Sequence, residues 1–288
     1  MRVLKKLSIL LLTIFILPGC SGGRNNMEDI DIYTTTYPIN FLINSLYDEH
    51  CDVYSIYPTG VDLDEYELSN RKLEEYSRSD LFIFNSLDKD RDYAVKMINL
   101  NSNLKVIDVA IGMSYEYSSE EIWLNPNNYL MMAENIKNGL SEYIDNPYLV
   151  EEINDSYEKL EYEISKLDAN LTETIRDAKY DTIVVDNDLF KFLEKRGLKV
   201  ISLEENENFS SNRVDEVKKL IIDGDIKYIY STSKDTNDTV NKLIDEFKLE
   251  RVIINSMHSI DGSITNSNDN YLTIMTNNIN NLKKELYK

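Results

Sequence analysis

Histidine is scarce in this sequence of 288 residues, which contains two, His50 and His258. His50 lies at the end of an expected helix and His258 follows the last expected strand, places where histidines are more often surface or structural residues than the base of a hydrolase. A GxGxxG pattern or other glycine-rich phosphate-binding loop is also absent from the sequence, which argues against a nucleotide-dependent enzyme. We therefore expect a protein without enzymatic activity.

Cysteine and positive charge are scarce as well. The two cysteines are Cys20 and Cys51. If the thiol of Cys20 is modified at the N-terminus of the mature chain, Cys51 has no disulfide partner. Lysine and arginine total 31 against 51 aspartates and glutamates, which gives a formal charge of -20. Such a surface repels the phosphates of nucleic acid and offers no polybasic contact to a membrane. It is compatible with cation capture, because the negative field concentrates cations.

The first residues read as an export signal. Three basic residues precede an apolar run at 7–17, which is shorter than the roughly 20 residues needed to span a bilayer. The run ends in Leu-Pro-Gly-Cys, and small residues before a cysteine are typical of a bacterial lipoprotein signal. We predict removal of residues 1–19, lipid on Cys20, a tether at 20–28 and a position on the extracytoplasmic face of the cell membrane. The alternative is an ordinary signal peptide or N-terminal anchor with a chance cysteine.

Apolar runs of strand length alternate with helical patterns along the chain, which predicts an α/β fold with parallel sheets. The expected strands are at 30–35, 52–57, 81–85, 104–109, 182–185, 199–203, 227–230 and 251–254. We predict an N-terminal α/β lobe at 29–146, a linking helix at 147–179 and a C-terminal α/β lobe at 180–288. A mature chain of about 270 residues suits two lobes better than one core.

The predicted linking helix carries a single apolar stripe. Its members recur at spacings of four and three: Ile153, Tyr157, Leu160, Ile164, Leu167, Leu171 and Ile175. At about 1.5 Å per residue the helix would run some 45 Å. Such a stripe is often the seam of a coiled coil, but its place between two α/β halves favours a rigid helix packed along both lobes. A rigid linker also predicts a small closure motion.

Two short stretches have the frame of metal-binding loops: PTGVDLDEYE at 58–67 and SEEIWLNP at 119–126. With the lipoprotein signal, the two lobes and the linking helix, they resemble the solute-binding lipoproteins of zinc- and manganese-type ABC transporters. In that family the first frame is Pro-x-Gly-x-Asp-Pro-His-x-Tyr-Glu, and the second is Asp-Pro-His-x-Trp-Leu-Asp-Pro. In this sequence Asp64 and Glu121 stand in the two histidine places.

The resemblance implies two further ligand places in the C-terminal lobe. Asn187 stands in the third, with Asp186 or Asp188 as substitutes if the register slips, and Asn255 stands in the fourth. His258, three residues later, is a further candidate from a shifted register.

The resemblance also implies a function: a solute-binding protein of an ABC importer, which serves a permease and an ATPase and binds its ligand between the lobes. The side chains in the four ligand places are Asp64, Glu121, Asn187 and Asn255, whose donor atoms are oxygens. Such a set suits manganese or another oxygen-preferring divalent cation better than zinc. Two alternatives stay open. The cleft has lost its metal or takes another small ligand, or the protein is an accessory or adhesin-like surface lipoprotein.

Overall fold

The computed structural model describes residues 27–206, 209–234, 236–258 and 269–288. These residues form two four-stranded parallel sheets, joined by one long helix. This is the two-lobe α/β fold that the sequence predicts. Among the described helices, none combines the length and the apolar character that a membrane crossing needs. The predicted signal at 1–19 and the lipid site at Cys20 lie outside the described residues.

The first lobe is built around a sheet with the strand order β2-β1-β3-β4. Its strands are β1 (Ile30–Thr34), β2 (Cys51–Ser55), β3 (Leu81–Phe84) and β4 (Lys105–Asp108). Its helices are α1 (Tyr37–Tyr47), α2 (Asn70–Tyr76), α3 (Asp90–Leu100), the single turn α4 (Glu121–Leu124) and α5 (Pro126–Tyr143), with a 3-10 turn at Asp48–His50. The interior strand β3 reads LFIF and is buried at every residue, because helices cover both faces of a parallel sheet.

The second lobe repeats this arrangement with the strand order β6-β5-β7-β8. Its strands are β5 (Thr182–Val185), β6 (Lys199–Ser202), β7 (Tyr228–Ser231) and β8 (Glu250–Ile253). Its helical segments are a 3-10 helix at Asp188–Arg196 and the α-helices α7 (Ser211–Ile222), α8 (Asp238–Phe247) and α9 (Tyr271–Leu286). In both lobes the chain therefore leaves the strands through loops at their carboxyl ends, where an open α/β sheet binds ligands.

The linking helix α6 (Pro147–Arg176) has 30 residues. It begins with proline in the first turn, after Asn146, whose side chain accepts the backbone N–H of Tyr148 at 3.1 Å. Both features favour a helix start. The first backbone N–H groups of a helix have no helical partner; proline lacks such an N–H, and the asparagine side chain accepts a hydrogen bond from one. The buried stripe consists of Leu149, Ile153, Leu160, Ile164, Leu167, Leu171 and Ile175. These residues share one apolar core with both sheets, so this chain itself covers the stripe, and each residue contributes about 1.5–3 kcal/mol through burial.

Helix α5 approaches the first sheet very closely at one glycine. A Cβ atom added to Gly139 would lie 2.7 Å from Cγ1 of Ile107 on β4. Such a distance is far below ordinary contact, and Ile107 is buried in the core and has little room to move. The glycine therefore permits the separation at which helix and sheet pack.

Candidate functional site

A cavity of about 340 Å³ lies between the two lobes. Its lining comes from loops of both lobes, most of them directly after a strand. From the first lobe come Asp64, Tyr117, Ser118 and Glu120, and from the second come Asn187, Asp188, Leu189, Glu204, Thr232, Ser256 and His258. This lining, taken from the described part of the chain, contains four carboxylates and no lysine or arginine. The cavity is therefore suited to a cation.

The loop after β2 presents Asp64 to the cavity. Its backbone is held in place, because Asp62 Oδ1 accepts the N–H of Asp64 at 2.9 Å and Lys89 Nζ donates to the carbonyls of Asp64 (3.3 Å) and Tyr66 (2.8 Å). The Asp64 side chain itself is 82% exposed. The loop is thus anchored by its backbone and leaves this carboxylate accessible to a ligand.

Two adjacent glutamates at the start of α4 have different surroundings. Glu120 lines the cavity, and the hydroxyl of Ser118 donates to its Oε2. Glu121, which stands in the family's histidine place, is buried, accepts the N–H of Glu116 at 3.1 Å and lies outside the cavity lining. Successive residues of a helical turn differ in direction by about 100°. The turn therefore directs one glutamate to the cavity and the other to the protein interior.

His258 joins the two walls of the cavity. Its Nδ1 lies 3.0 Å from Oε1 of Glu120, and its Nε2 lies 3.7 Å from Oδ2 of Asp64. Both ring nitrogens are shielded from solvent, and the contact with Glu120 lacks the angles of a hydrogen bond within the described residues. The Glu120 carboxylate raises the pKa of His258, while burial acts in the opposite direction. Burial alone would raise the pKa of Glu120, but His258 and Ser118 outweigh it and lower that pKa.

A group of possible metal ligands surrounds this contact. One ligand atom each from Asp62, Asp64 and His258 lie within 4.8 Å of one another, and Glu120 touches the same imidazole. A single ion could be shared by such a set. Imidazole nitrogen with carboxylate oxygens suits a divalent transition metal such as manganese or zinc.

The second lobe contributes amide and carboxylate groups to the same cavity. Asn187 Oδ1 accepts the N–H of Leu189 at 3.0 Å, and its Nδ2 donates to the Thr232 hydroxyl at 3.4 Å. Glu204 Oε2 accepts the N–H of Asp188 at 2.8 Å. These bonds hold the loops after β5, β6 and β7 together and fix the polar wall of the second lobe.

The remaining candidates from the sequence lie outside the lining. Asn255 Oδ1 accepts the N–H of Met257 at 2.8 Å, which makes a tight turn after β8. Asp186 is buried, and burial raises the pKa of its carboxyl to about 6. Of the four ligand places, the structure thus brings together Asp64 and Asn187.

Sequence reasoning missed two cavity residues, Glu120 and Glu204. Glu204 had a usable signal, since it comes two residues after β6 and so stands at the carboxyl end of a parallel strand. Glu120 is the neighbour of the residue that the family frame selects, and the choice between the two depends on the direction of one helical turn.

The size of the cavity constrains what it can hold. Water occupies about 30 Å³ per molecule in the liquid, so the cavity has room for a divalent ion together with several waters. Partial hydration also suits the mixed wall, in which some groups would reach the ion directly and others through water.

Comparison with known proteins links this geometry to a family. The family model for the zinc-uptake complex component A periplasmic (ZnuA) matches residues 32–285. The zinc-binding lipoprotein AdcA of Streptococcus pneumoniae strain R6 is 24% identical over 313 residues, which cover 98% of this chain and 61% of AdcA. The manganese ABC transporter substrate-binding lipoprotein PsaA of Streptococcus anginosus is 24% identical over 217 residues, 68% of this chain and 69% of PsaA. The chain thus spans about three fifths of the length of AdcA.

Solved structures show the same fold. The Zn(II)-bound ZnuA-like domain of Streptococcus pneumoniae AdcA superposes with a TM-score of 0.73 at 22% identity, over 90% of this chain and 100% of that domain. The metal-dependent lipoprotein YcdH of Bacillus subtilis superposes with a TM-score of 0.75 at 18% identity, over 90% of this chain and 100% of YcdH.

Proposed function

The chain belongs to the ZnuA family of periplasmic zinc-uptake complex components, and from that membership we propose that it is the solute-binding protein of a metal-ion ABC importer. Relatives across most of the chain bear the names of a zinc-binding lipoprotein and of a manganese ABC transporter substrate-binding lipoprotein. The role is to bind a divalent cation between the lobes and deliver it to a permease that an ATPase drives. It involves no catalytic step. The named relatives give no support to the accessory or adhesin-like alternative.

The same proposal includes a membrane anchor. The Leu-Pro-Gly-Cys ending of the signal and the lipoprotein names of the relatives support lipid on Cys20. The protein then acts on the extracytoplasmic face of the cell membrane. Radiolabelled palmitate that enters the wild-type protein, and fails to enter Cys20→Ala, is the expected result.

The observation that carries the metal-binding proposal is His258 between Asp64 and Glu120. The sequence frame supplies carboxylates in the family's two histidine places, and the loop after β8 brings an imidazole to the same cavity. We therefore propose Asp62, Asp64 and His258 as the main ligands, with Asn187 from the second lobe and with Glu120 as the carboxylate that orients the imidazole through Nδ1. Glu121 and Asn255 lie outside the cavity lining, and neither belongs to the proposed ligand set.

This ligand set favours manganese as the cargo. Zinc sites are usually tetrahedral and rich in nitrogen or sulfur, whereas the proposed set has one nitrogen and otherwise oxygen. Calcium and magnesium prefer oxygen throughout, and magnesium keeps much of its water. A single imidazole among carboxylates and an amide suits Mn²⁺, which accepts both donor types.

The test measures metal binding by the lipid-free mature chain. We expect bound metal by elemental analysis and a rise in melting temperature with Mn²⁺ that exceeds those with Zn²⁺ and Ca²⁺. His258→Ala removes a ligand, and Glu120→Gln removes the charge that orients this ligand, so each should weaken Mn²⁺ binding by at least roughly tenfold.

The chain offers a matched pair of control variants. His50 Nε2 lies 3.2 Å from Glu152 Oε2, which is a second histidine–glutamate contact away from the cavity. His50→Ala and Glu152→Gln should therefore bind Mn²⁺ like the wild type. A wild-type protein that takes up none of the three ions, with no thermal shift, would refute the metal-binding proposal.

A further inference from the structure

The segment after β8 carries His258 on an unusual backbone. Met257, the residue before it, has φ of 56°, a left-handed conformation that side chains with a Cβ adopt at an energetic cost. Its side chain is nevertheless buried in the core. A strained backbone conformation of this kind persists only when contacts with the surrounding structure hold it in place, and it is frequent at functional sites.

One set of bonds that holds this segment comes from α9. The buried side chain of Asn278 accepts the N–H of Asn255 at 3.0 Å and donates to the carbonyl of the same residue at 2.8 Å. Asn255 Oδ1 in turn accepts the N–H of Met257 at 2.8 Å. The amide of Asn278 thus satisfies both backbone groups of Asn255, from which the turn towards His258 starts.

A second bond comes from the first lobe. Trp123 is buried, and its indole Nε1 donates to the carbonyl of Ser256 at 2.8 Å. Its own carbonyl accepts the hydroxyl of Tyr271 at 2.6 Å. Trp123 stands three residues after Glu120, so one side chain connects the segment that carries Glu120 with the segment that carries His258.

From these contacts we infer that Trp123 and Asn278 are positioning residues, which hold the imidazole of His258 against Glu120 across the cavity. Asn255 takes part through the turn that it closes, not through its own side chain at the cation. The consequence for cation affinity rests on the proposed function. The consequence for the place of His258 in the metal-free protein is independent of it.

The metal-free protein provides the first test. The chain has two histidines, so its NMR spectrum contains two sets of imidazole ring protons, and His50 serves as an internal reference. In Asn278→Ala we expect the ring signals of His258 to move towards those of an unstructured histidine, while those of His50 stay in place. Asn281→Ala is the matched control: it is the same residue type on the same helix, and its Nδ2 donates to the carbonyl of Ile253 at 3.0 Å, before the segment begins.

Mn²⁺ binding provides the second test. Asn278→Ala and Trp123→Phe should each weaken Mn²⁺ affinity by roughly tenfold, since each loses hydrogen bonds that hold a ligand in place. Paramagnetic Mn²⁺ should broaden the His258 ring signals in the wild type and do so less at equal occupancy in the two variants. If Asn278→Ala does not fold, Trp123→Phe tests the positioning role alone, because it keeps an aromatic ring and loses the N–H that donates to Ser256.

The outcomes separate the two proposals. A wild-type protein that binds no metal refutes the proposed function, and the metal-free spectra still decide the positioning role. If Asn278→Ala matches Asn281→Ala in its His258 signals and in Mn²⁺ affinity, the positioning role is wrong. A variant with a lower melting temperature but unchanged His258 signals and affinity also overturns it, because the contacts would then be merely structural.

Discussion

The contact between His258 and Glu120 makes the stability of the metal-free protein depend on pH in a defined way. Glu120→Gln keeps the size of the side chain and removes its charge. The two groups are 3.0 Å apart, with side chains that are 21% and 17% exposed, so solvent screens them only in part. An ion pair of this kind, without the angles of a hydrogen bond, contributes about 1 kcal/mol. Asp64 and Asp88 also raise the pKa of His258, and both remain in the variant.

The direction of the pH dependence follows from the two pKa shifts. The pKa of His258 is raised in the folded state, so its contribution is complete below the ordinary value of 6.5 and is lost as the pH rises through the higher folded value. The pKa of Glu120 is lowered from 4.5, so its contribution is complete above 4.5 and is lost as the pH falls through the lower folded value. Both contributions are therefore present between 4.5 and 6.5.

Urea unfolding of wild type and Glu120→Gln, with chelator present, measures this contribution. At about pH 5.5 we expect the variant to be less stable by about 1 kcal/mol, and at about pH 9 we expect most of that difference to vanish. Glu152→Gln is the control, because its contact with His50 is more exposed and should contribute little at either pH. A difference in stability between wild type and Glu120→Gln that is equal at both pH values, or larger at high pH, would contradict this prediction.

Three further predictions concern packing, a buried acid and motion. Gly139→Ala should lower the free energy of unfolding by about 1–3 kcal/mol in urea titrations, since the new Cβ would meet Ile107. When Ile107→Ala is present in the same chain, the glycine substitution should cost less. Additive free-energy changes in the double variant would contradict this. Burial raises the pKa of Asp90 from 3.8 to about 6, so the wild type loses stability as the pH rises through that interval. The Tyr57 hydroxyl donates to Asp90 Oδ1 at 2.7 Å, and the amide oxygen of Asp90→Asn can still accept this bond. The variant should lose most of this pH dependence of stability, which is worth up to about 3 kcal/mol. If the unfolding curves of both proteins show the same pH dependence, this prediction is wrong. Because one rigid helix joins the lobes, X-ray scattering with and without Mn²⁺ should give nearly the same radius of gyration, and a marked compaction would disprove a small closure.

The fold was predictable to a large extent because the sequence pattern follows burial. The strand expected at 81–85 is β3 at Leu81–Phe84, and the strand expected at 182–185 is β5 at Thr182–Val185. Both are interior strands whose residues are almost all buried, so they appear as unbroken apolar runs. The helix expected at 147–179 runs over Pro147–Arg176; its start is marked by proline, whereas the last turn of a helix is weakly encoded.

The site was predictable in part. Asp64, from the frame at 58–67, and Asn187, from the third ligand place, both line the cavity, and their role as metal ligands stays a prediction. The frame at 119–126 selected Glu121, but the cavity carboxylate is its neighbour Glu120. A frame gives the place of a loop along the chain, while the orientation of each side chain depends on local backbone geometry.

The sequence predicts an exported α/β protein of two lobes around a long helix, with oxygen donors in the places where the family frames have histidines. Periodicity and composition are enough for this, because they record which residues are buried and which face solvent. The meeting of His258 with Glu120 and Asp64 is a property of the folded chain that the sequence pattern does not predict. These residues are far apart in the chain and come from separate loops of two lobes. Their meeting depends on the left-handed Met257 and on hydrogen bonds from Trp123 and Asn278, which no periodicity in the sequence encodes.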